Sequence, residues 1–230
     1  MYNHQHNLSA EALITEGPDI MQARITLRMN YAVPHLVSAA MFSRRVGEIE
    51  TTHSGQGIGP FWDEMLAHAT ASIFLAVAGL ESYANELFAD WEQNFPGKSM
   101  AEVEKQWKER ASIFAKLDNA LIIRSKPPLN RTEELYESAH DLVSLRNALV
   151  HFKPEWDDKQ VEHTKLSSQL RKHFKPSAFI PNDPGLFPRA WASHDCTVWA
   201  LNAVVRFVEH FEDHAELPHK MDQFAARLMP

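Results

Sequence analysis

The chain has 230 residues, of which 44% are hydrophobic, and a formal net charge of −7. This length and apolar content allow one substantial core, and the negative charge argues against binding nucleic acid over the whole surface, although it permits a local basic patch. A single cysteine, Cys196, excludes an intramolecular disulfide, and residues 1 to 20 lack the pattern of a secretion signal. The most apolar segment, Ala67 to Leu80, is too short to cross a bilayer. We therefore expect a cytoplasmic protein without membrane association.

Residues 1 to 60 are predicted to form an N-terminal extension. Apolar and polar residues alternate from Ala23 to Tyr31, which predicts one strand. A lone strand is unstable, so this strand would have to pair with another segment or with a partner chain. A short helix is expected from Pro34 to about Glu50, followed by a break at Gly55 to Pro60.

Residues 61 to 230 are predicted to form a helical bundle. Apolar residues recur at intervals of three and four from Phe61 to Trp91, which predicts a long helix. Ser99 and Glu102 resemble a capping box, and Pro154 disfavours helix beyond about Phe152. Further helices are predicted at residues 99–123, 130–152, 158–174 and 190–214. The fold class is therefore mainly α, an antiparallel bundle with a short extension.

An arginine interrupts an apolar helix face in the segment LRNALVHF, Leu145 to Phe152. At 100° per residue, Arg146 falls within the predicted apolar arc, whereas Asn147 and His151 fall on the opposite side. A guanidinium against a core needs an accepting partner. The candidate partners lie on the Phe61 to Trp91 helix and are Glu81 and Asn85. A structural arginine that joins two helices and a functional arginine are both compatible with this pattern.

His151 is predicted in the last turn of its helix, where the helix dipole favours an imidazolium. Asn147 lies one turn earlier and could orient the ring, while a solvent-facing histidine that merely ends the helix is the alternative. Five residues separate His151 from Arg146, about 140° around the helix and roughly 7.5 Å along it. Convergence therefore requires a frayed helix end or a second copy of the helix.

These residues resemble a known family. Arg146, Asn147 and His151 at a helix end are similar to the R-x4-6-H signature of HEPN domains, and the helix AVAGLESYANELF, with Glu81 and Asn85, resembles the early helix of that family. The resemblance covers roughly residues 61 to 215. It implies a helical bundle that pairs as a homodimer, and many such proteins are metal-independent ribonucleases of toxin–antitoxin or anti-phage systems.

The resemblance also implies roles for the individual residues. Arg146 and His151 of two subunits would face one cleft, with His151 transferring protons and Arg146 stabilising charge on an RNA phosphate. Asn147 would orient His151 or contact the phosphate. No cofactor or metal is implied. Residues predicted to support the site are Glu81, Asn85 and Ser144.

The same resemblance also allows a non-catalytic function, and it bears on how the activity would be regulated. Some members of the family are non-catalytic modules that bind a protein, RNA or a nucleotide. Toxins controlled by nucleotide modification often carry a tyrosine two residues after the histidine, whereas this chain has Lys153. An antitoxin or a neighbour-encoded protein is a further candidate partner.

A basic segment follows the motif helix. His163 to Lys175 contains four lysines and arginines and no acidic residue. This composition predicts either an RNA-binding surface or a solvated helix face. The RNA-binding candidates are Lys153, Lys165, Arg171 and Lys172. Two histidine pairs, His4 with His6 and His210 with His214, have spacings that a metal could use but are interpreted as surface histidines, and Cys196 is interpreted as a core residue.

Overall fold

The computed structural model describes residues 28–107, 110–159, 161–180 and 185–230, and within these ranges it contains helices and loops but no strand. The prediction of a mainly α helical bundle is confirmed. The α-helices are α1 (Ala32–Thr52), α2 (Phe61–Ala89), α3 (Trp91–Asn94), α4 (Met100–Gln106), α5 (Ile113–Ile123), α6 (Glu134–Val150), α7 (Glu162–Leu170) and α8 (His194–Ala215). Short 3-10 turns span Asp157–Lys159 and Asp222–Arg227, and a π-type turn spans Leu186–Ala190.

Helix α2 lies at the centre of the bundle. It packs most extensively against α1 and also contacts α5, α6 and α8. Helices α1 and α2 are antiparallel, because Ser72 Oγ donates to the carbonyl oxygen of Ala39 whereas Gly79 lies against Leu36 farther along. A Cβ at Gly79 would lie 2.7 Å from Leu36 Cγ, so the glycine permits this close approach. Helix α1, predicted within the extension, thus contributes to the same hydrophobic cluster as α2 and α8.

The strand predicted from Ala23 to Tyr31 is wrong over its described residues. Residues 28–31 are not in a strand, and Ala23 to Leu27 lie outside the described residues. The physical reason is the carboxylate of Glu86 on α2, which accepts hydrogen bonds from the backbone N–H groups of Tyr31 at 2.7 Å and Ala32 at 2.8 Å. These amides therefore begin helix α1 instead of joining a sheet.

Several helix boundaries differ from the predictions. The capping box at Ser99 is confirmed, but the helix predicted from 99 to 123 is two helices, because Trp107 adopts an extended backbone and Ser112 caps α5. The helix predicted from 158 to 174 is only Glu162–Leu170, and the carboxylate of Glu155 accepts from its first backbone N–H groups. Helix α6 ends at Val150, two residues before Phe152, and α8 begins at the Ser193 cap.

Helix α2 is long and apolar enough to cross a membrane by length and composition alone. It contains the predicted apolar segment Ala67 to Leu80. The core helix of a soluble protein passes the same test, and α2 contributes fourteen buried residues to the bundle. Its composition therefore gives only weak grounds for a membrane span.

Candidate functional site

Arg146 lies at the edge of the core. Its side chain is 25% exposed, and Nη2 is 4.0 Å from Oε2 of Glu81 on α2. This distance is too long for a hydrogen bond. Leu142 and Leu145, which lie on the same predicted apolar arc, are fully buried, whereas Arg146 is only partly buried. The predicted contact with Glu81 is present, and it is the only ion pair of Arg146 within the described ranges.

Asn85 does not share this role. Its Oδ1 accepts a hydrogen bond from Nζ of Lys116 at 2.8 Å. Lys116 lies on α5, is only 4% exposed, and has its ammonium 5.1 Å from the centre of the Trp107 ring. The amide therefore satisfies a buried lysine that sequence reasoning did not single out, since nothing in the α5 sequence marks this lysine as buried.

His151 and Asn147 are exposed at the end of α6. The backbone N–H of His151 donates to the carbonyl oxygen of Asn147 at 2.9 Å, and His151 is the residue that caps the helix. Ser144 Oγ donates to the carbonyl oxygen of His140 at 3.0 Å, so this hydroxyl is bound within its own helix. Because α6 stays helical from Arg146 to Val150, Arg146 and His151 project from different sides of one chain.

Apolar side chains are exposed close to the motif along the chain. Val150 is 47% exposed, Phe152 48% and Trp156 79%. The Phe152 ring stacks on the ring of His163, with centroids 5.4 Å apart, while Trp156 is mostly open to solvent. Large apolar groups grouped on a surface mark a region where a partner can bind.

The predicted RNA-binding residues do not form one surface of free charges. Lys153 and Lys165 are exposed. Lys172 Nζ lies 3.0 Å from a carboxylate oxygen of Glu137 and 3.2 Å from one of Asp141, so its charge is largely compensated. Arg171 is exposed and lines the groove described next.

A groove of about 560 Å³ lies between α6, α8 and the segment that follows α7. We call it the α6–α8 groove. Its lining residues are Glu134, Leu135, Ser138, Arg171, Lys172, His173, Phe174, Lys175, Asp195, Val198, Trp199, Asn202, Ala203 and Arg206. Arg146 and His151 are not among them, and Ser138 lies about 20 Å from His151 along the axis of α6. Sequence reasoning identified the basic segment that forms one wall but not the groove, whose walls come from distant parts of the chain.

One wall of this groove is held by a chain of polar contacts. Nε1 of Trp199 donates to Ser138 Oγ at 2.9 Å, and the His173 ring stacks on the Trp199 ring at 4.8 Å. His173 Nε2 lies 2.9 Å from Oδ2 of Asp141. Burial opposes ionisation of Asp141, but hydrogen bonds from His173 and Lys172 outweigh it and lower the pKa of this carboxyl. These contacts fix the orientation of the aromatic rings.

A buried carboxyl lies near the end of α8. Glu212 is 1% exposed, and its Oε2 accepts from the backbone N–H of Lys220 at 3.2 Å. Burial raises the pKa of Glu212 to about 7, although the bond from the Lys220 amide lowers it. The Lys220 ammonium pairs with Glu86 of α2, whose carboxylate also accepts from the backbone N–H groups at the start of α1. This cluster joins the ends of α1, α2 and α8 and has a structural role.

The described histidines of the predicted pairs contact other protein groups, and the cysteine lies in the core. His210 Nε2 lies 2.7 Å from Oε2 of Glu133, and His214 Nε2 lies 2.9 Å from the carbonyl oxygen of Pro127. Among the described residues, no group of three or more histidines, cysteines, aspartates or glutamates is placed to hold a metal ion. His4 and His6 lie outside the described residues. Cys196 is fully buried, as interpreted from the sequence, and burial raises the pKa of its thiol well above the ordinary value.

Comparison with protein-family models, curated proteins and solved structures found no match to this chain.

Proposed function

We propose that this protein is a metal-independent endoribonuclease that acts as a homodimer, with Arg146 and His151 as its catalytic residues. The observation that carries the proposal is the environment of Arg146. Glu81 lies on one side of its guanidinium at 4.0 Å, and no hydrogen bond occupies its N–H donors within the described part of the chain. A guanidinium that is permanently charged and keeps its N–H donors unoccupied suits a phosphate group, whose oxygens accept two parallel hydrogen bonds.

The chemistry uses the nucleophile that RNA itself carries. The 2′-hydroxyl loses its proton and its oxygen attacks the adjacent phosphorus, while the bond from phosphorus to the 5′-oxygen breaks. The products are a 2′,3′-cyclic phosphate and a 5′-hydroxyl. Histidine can accept the first proton and return one to the leaving oxygen, and His151 is exposed for this role. Arg146 would stabilise the charge that builds on the phosphoryl oxygens.

A second copy of the chain would bring the two residues together. Within one chain they project from different sides of α6, so a site that contains both needs α6 of two subunits across a twofold axis. The exposed side chains of Val150, Phe152 and Trp156 support this arrangement, since pairing near the end of α6 would remove them from water.

The biological setting is part of the same proposal. A cytoplasmic ribonuclease of a toxin–antitoxin or anti-phage system needs a means of inhibition. Lys153 occupies the position at which toxins of the HEPN family, which the motif resembles, often carry a modifiable tyrosine. We therefore propose an inhibitory protein partner in place of nucleotide modification.

The first experiment measures cleavage of labelled RNA in the presence of a chelator. We expect wild-type protein to release products with a 2′,3′-cyclic phosphate, and His151→Ala to reduce the rate at least about 100-fold, in keeping with the contribution of a general acid–base group. His140→Ala is the matched control, because His140 is also exposed on α6 but lies about three turns earlier. Equal activity in wild type and His151→Ala would refute the catalytic assignment.

A second experiment tests the shared site. Mixed subunits of Arg146→Ala and His151→Ala form heterodimers in which one composite site is intact and the other lacks both residues. Random exchange should restore about one quarter of the wild-type activity if each site takes Arg146 from one subunit and His151 from the other. No restoration would contradict the shared site. Wild-type protein that binds RNA without cleaving it would identify a non-catalytic binding module instead.

A further inference from the structure

We propose that the α6–α8 groove binds a nucleoside phosphate, either as a free nucleotide or as one nucleotide of an RNA strand. The groove lies apart from the Arg146 and His151 motif, so this inference does not depend on nuclease activity. Its volume of about 560 Å³ falls within the range of roughly 300–1,000 Å³ that small-molecule sites occupy.

The rim of the groove is suited to a phosphate. Arg171 and Lys175 come from the segment after α7, and Arg206 comes from α8. Lys175 and Arg206 are exposed, and neither forms an ion pair with any residue that the structure describes. The lining also includes the carboxylates of Glu134 and Asp195, so four cationic side chains face two anionic ones in a protein whose net charge is −7. Lys175 and Arg206 can neutralise a phosphate without first breaking an internal salt bridge.

The floor of the groove is suited to a flat organic body. It contains apolar side chains from three segments, Leu135, Phe174, Val198, Trp199 and Ala203. Trp199 is only 9% exposed because His173 and Phe174 lie against its ring. The aromatic side chains therefore form a rigid floor. A bare inorganic phosphate would leave this apolar surface unused.

Two uncharged polar groups could recognise the edge of a base. Ser138 Oγ already accepts the hydrogen bond of the Trp199 indole, so its own proton remains available to donate into the groove. The Asn202 side chain is exposed on the α8 wall and offers one acceptor oxygen and one donor amide group. Cations at the rim, an apolar floor and these hydrogen-bonding groups together match the three parts of a nucleoside phosphate.

The test is direct titration of the full-length chain by calorimetry. The ligands are adenosine 5′-monophosphate, uridine 5′-monophosphate, inorganic phosphate and a 2′-O-methyl RNA hexamer, which cannot be cleaved through its 2′-oxygen. The Lys175→Gln/Arg206→Gln double variant should weaken nucleotide binding at least about tenfold, because it removes charge-assisted contacts. The matched control is Lys105→Gln/Arg227→Gln, which removes two exposed charges outside the groove and should bind like wild type.

A second variant tests the shape of the groove without altering its charge. Asn202→Trp places a large side chain in the groove from an exposed position and should abolish nucleotide binding. Inorganic phosphate should bind at least about tenfold more weakly than a mononucleotide, because it makes no use of the floor. The proposal is overturned if no mononucleotide binds saturably, if phosphate binds as tightly as the nucleotides, or if the control pair loses as much affinity as the groove pair.

The hexamer distinguishes the two sources of the ligand. Hexamer binding that is at least about tenfold tighter than mononucleotide binding, and that mononucleotide competes away, supports a site for an RNA strand. Equal affinities, with the same losses in the groove variants, support a site for a free nucleotide. Loss of mononucleotide binding in the groove pair is measured without any cleavage, so failure of the nuclease proposal and failure of this one give different results.

Discussion

The buried carboxyl of Glu212 gives a stability prediction with a defined pH dependence. Its pKa is raised to about 7 in the folded protein, against an ordinary value of 4.5. The folded state therefore binds this proton more tightly than the unfolded state does. The resulting stabilisation is fully present below about pH 4.5 and is lost as the pH rises through about 7. Glu212→Gln removes the ionisation while an amide oxygen can still accept from the N–H of Lys220.

The size of the effect follows from the two pKa values. The raised pKa of Glu212 should cost about 1 kcal/mol of folding free energy at pH 5 and about 3 kcal/mol at pH 8, relative to a side chain that stays protonated. Glu212→Gln is free of this cost. The difference in unfolding free energy between the variant and wild type should therefore widen by about 2 kcal/mol, in favour of the variant, from pH 5 to pH 8.

Urea denaturation followed by circular dichroism at pH 5, 6, 7 and 8 measures this difference. Glu104→Gln serves as the control, because Glu104 is exposed on α4 and its substitution should leave the difference from wild type nearly independent of pH. A Glu212→Gln protein whose stability relative to wild type stays constant over this range would refute the reasoning. It would mean that the carboxyl is better solvated or better paired than its 1% exposure indicates.

Two further substitutions test the packing of the bundle and the setting of the motif. Gly79→Ala should lower the free energy of unfolding by about 1–2 kcal/mol, because its Cβ would lie 2.7 Å from Leu36 Cγ and overpacking outweighs the gain in helix propensity. Gly57→Ala, whose Cβ would meet nothing within 4 Å, is the control in the same urea experiment, and equal shifts would contradict the close approach of α1 and α2. Arg146→Ala should change the free energy of unfolding by less than about 1 kcal/mol, because its ion pair with Glu81 is 4.0 Å long and partly exposed. A loss of several kcal/mol would indicate that Arg146 is structural.

Features that depend on neighbouring residues were predictable from the sequence. Apolar spacing located helices α2 and α8, and the Ser99 capping box is present as predicted. The approach of Glu81 to Arg146 was also predicted, because helical periodicity places Arg146 within an apolar arc, where a guanidinium needs an accepting partner, and Glu81 at the edge of the apolar face of α2. A helix face and a cap are set by residues at most a few turns apart, so the linear order of residues is enough to indicate them.

Features that depend on which helices meet were decided by the tertiary structure. The segment before α1 alternates like a strand. Glu86, however, lies 54 residues from Ala32 in the chain, and its carboxylate accepts from the Ala32 backbone N–H, so a helix begins there. The sequence predicted that Asn85 would contact Arg146. Because α5 packs against α2, Oδ1 of Asn85 accepts from Lys116 instead. The α6–α8 groove exists only because three segments distant in the chain converge. Local side-chain patterns specify the helices, but the burial of polar groups depends on long-range packing, where each must find a partner or pay for its lost hydration.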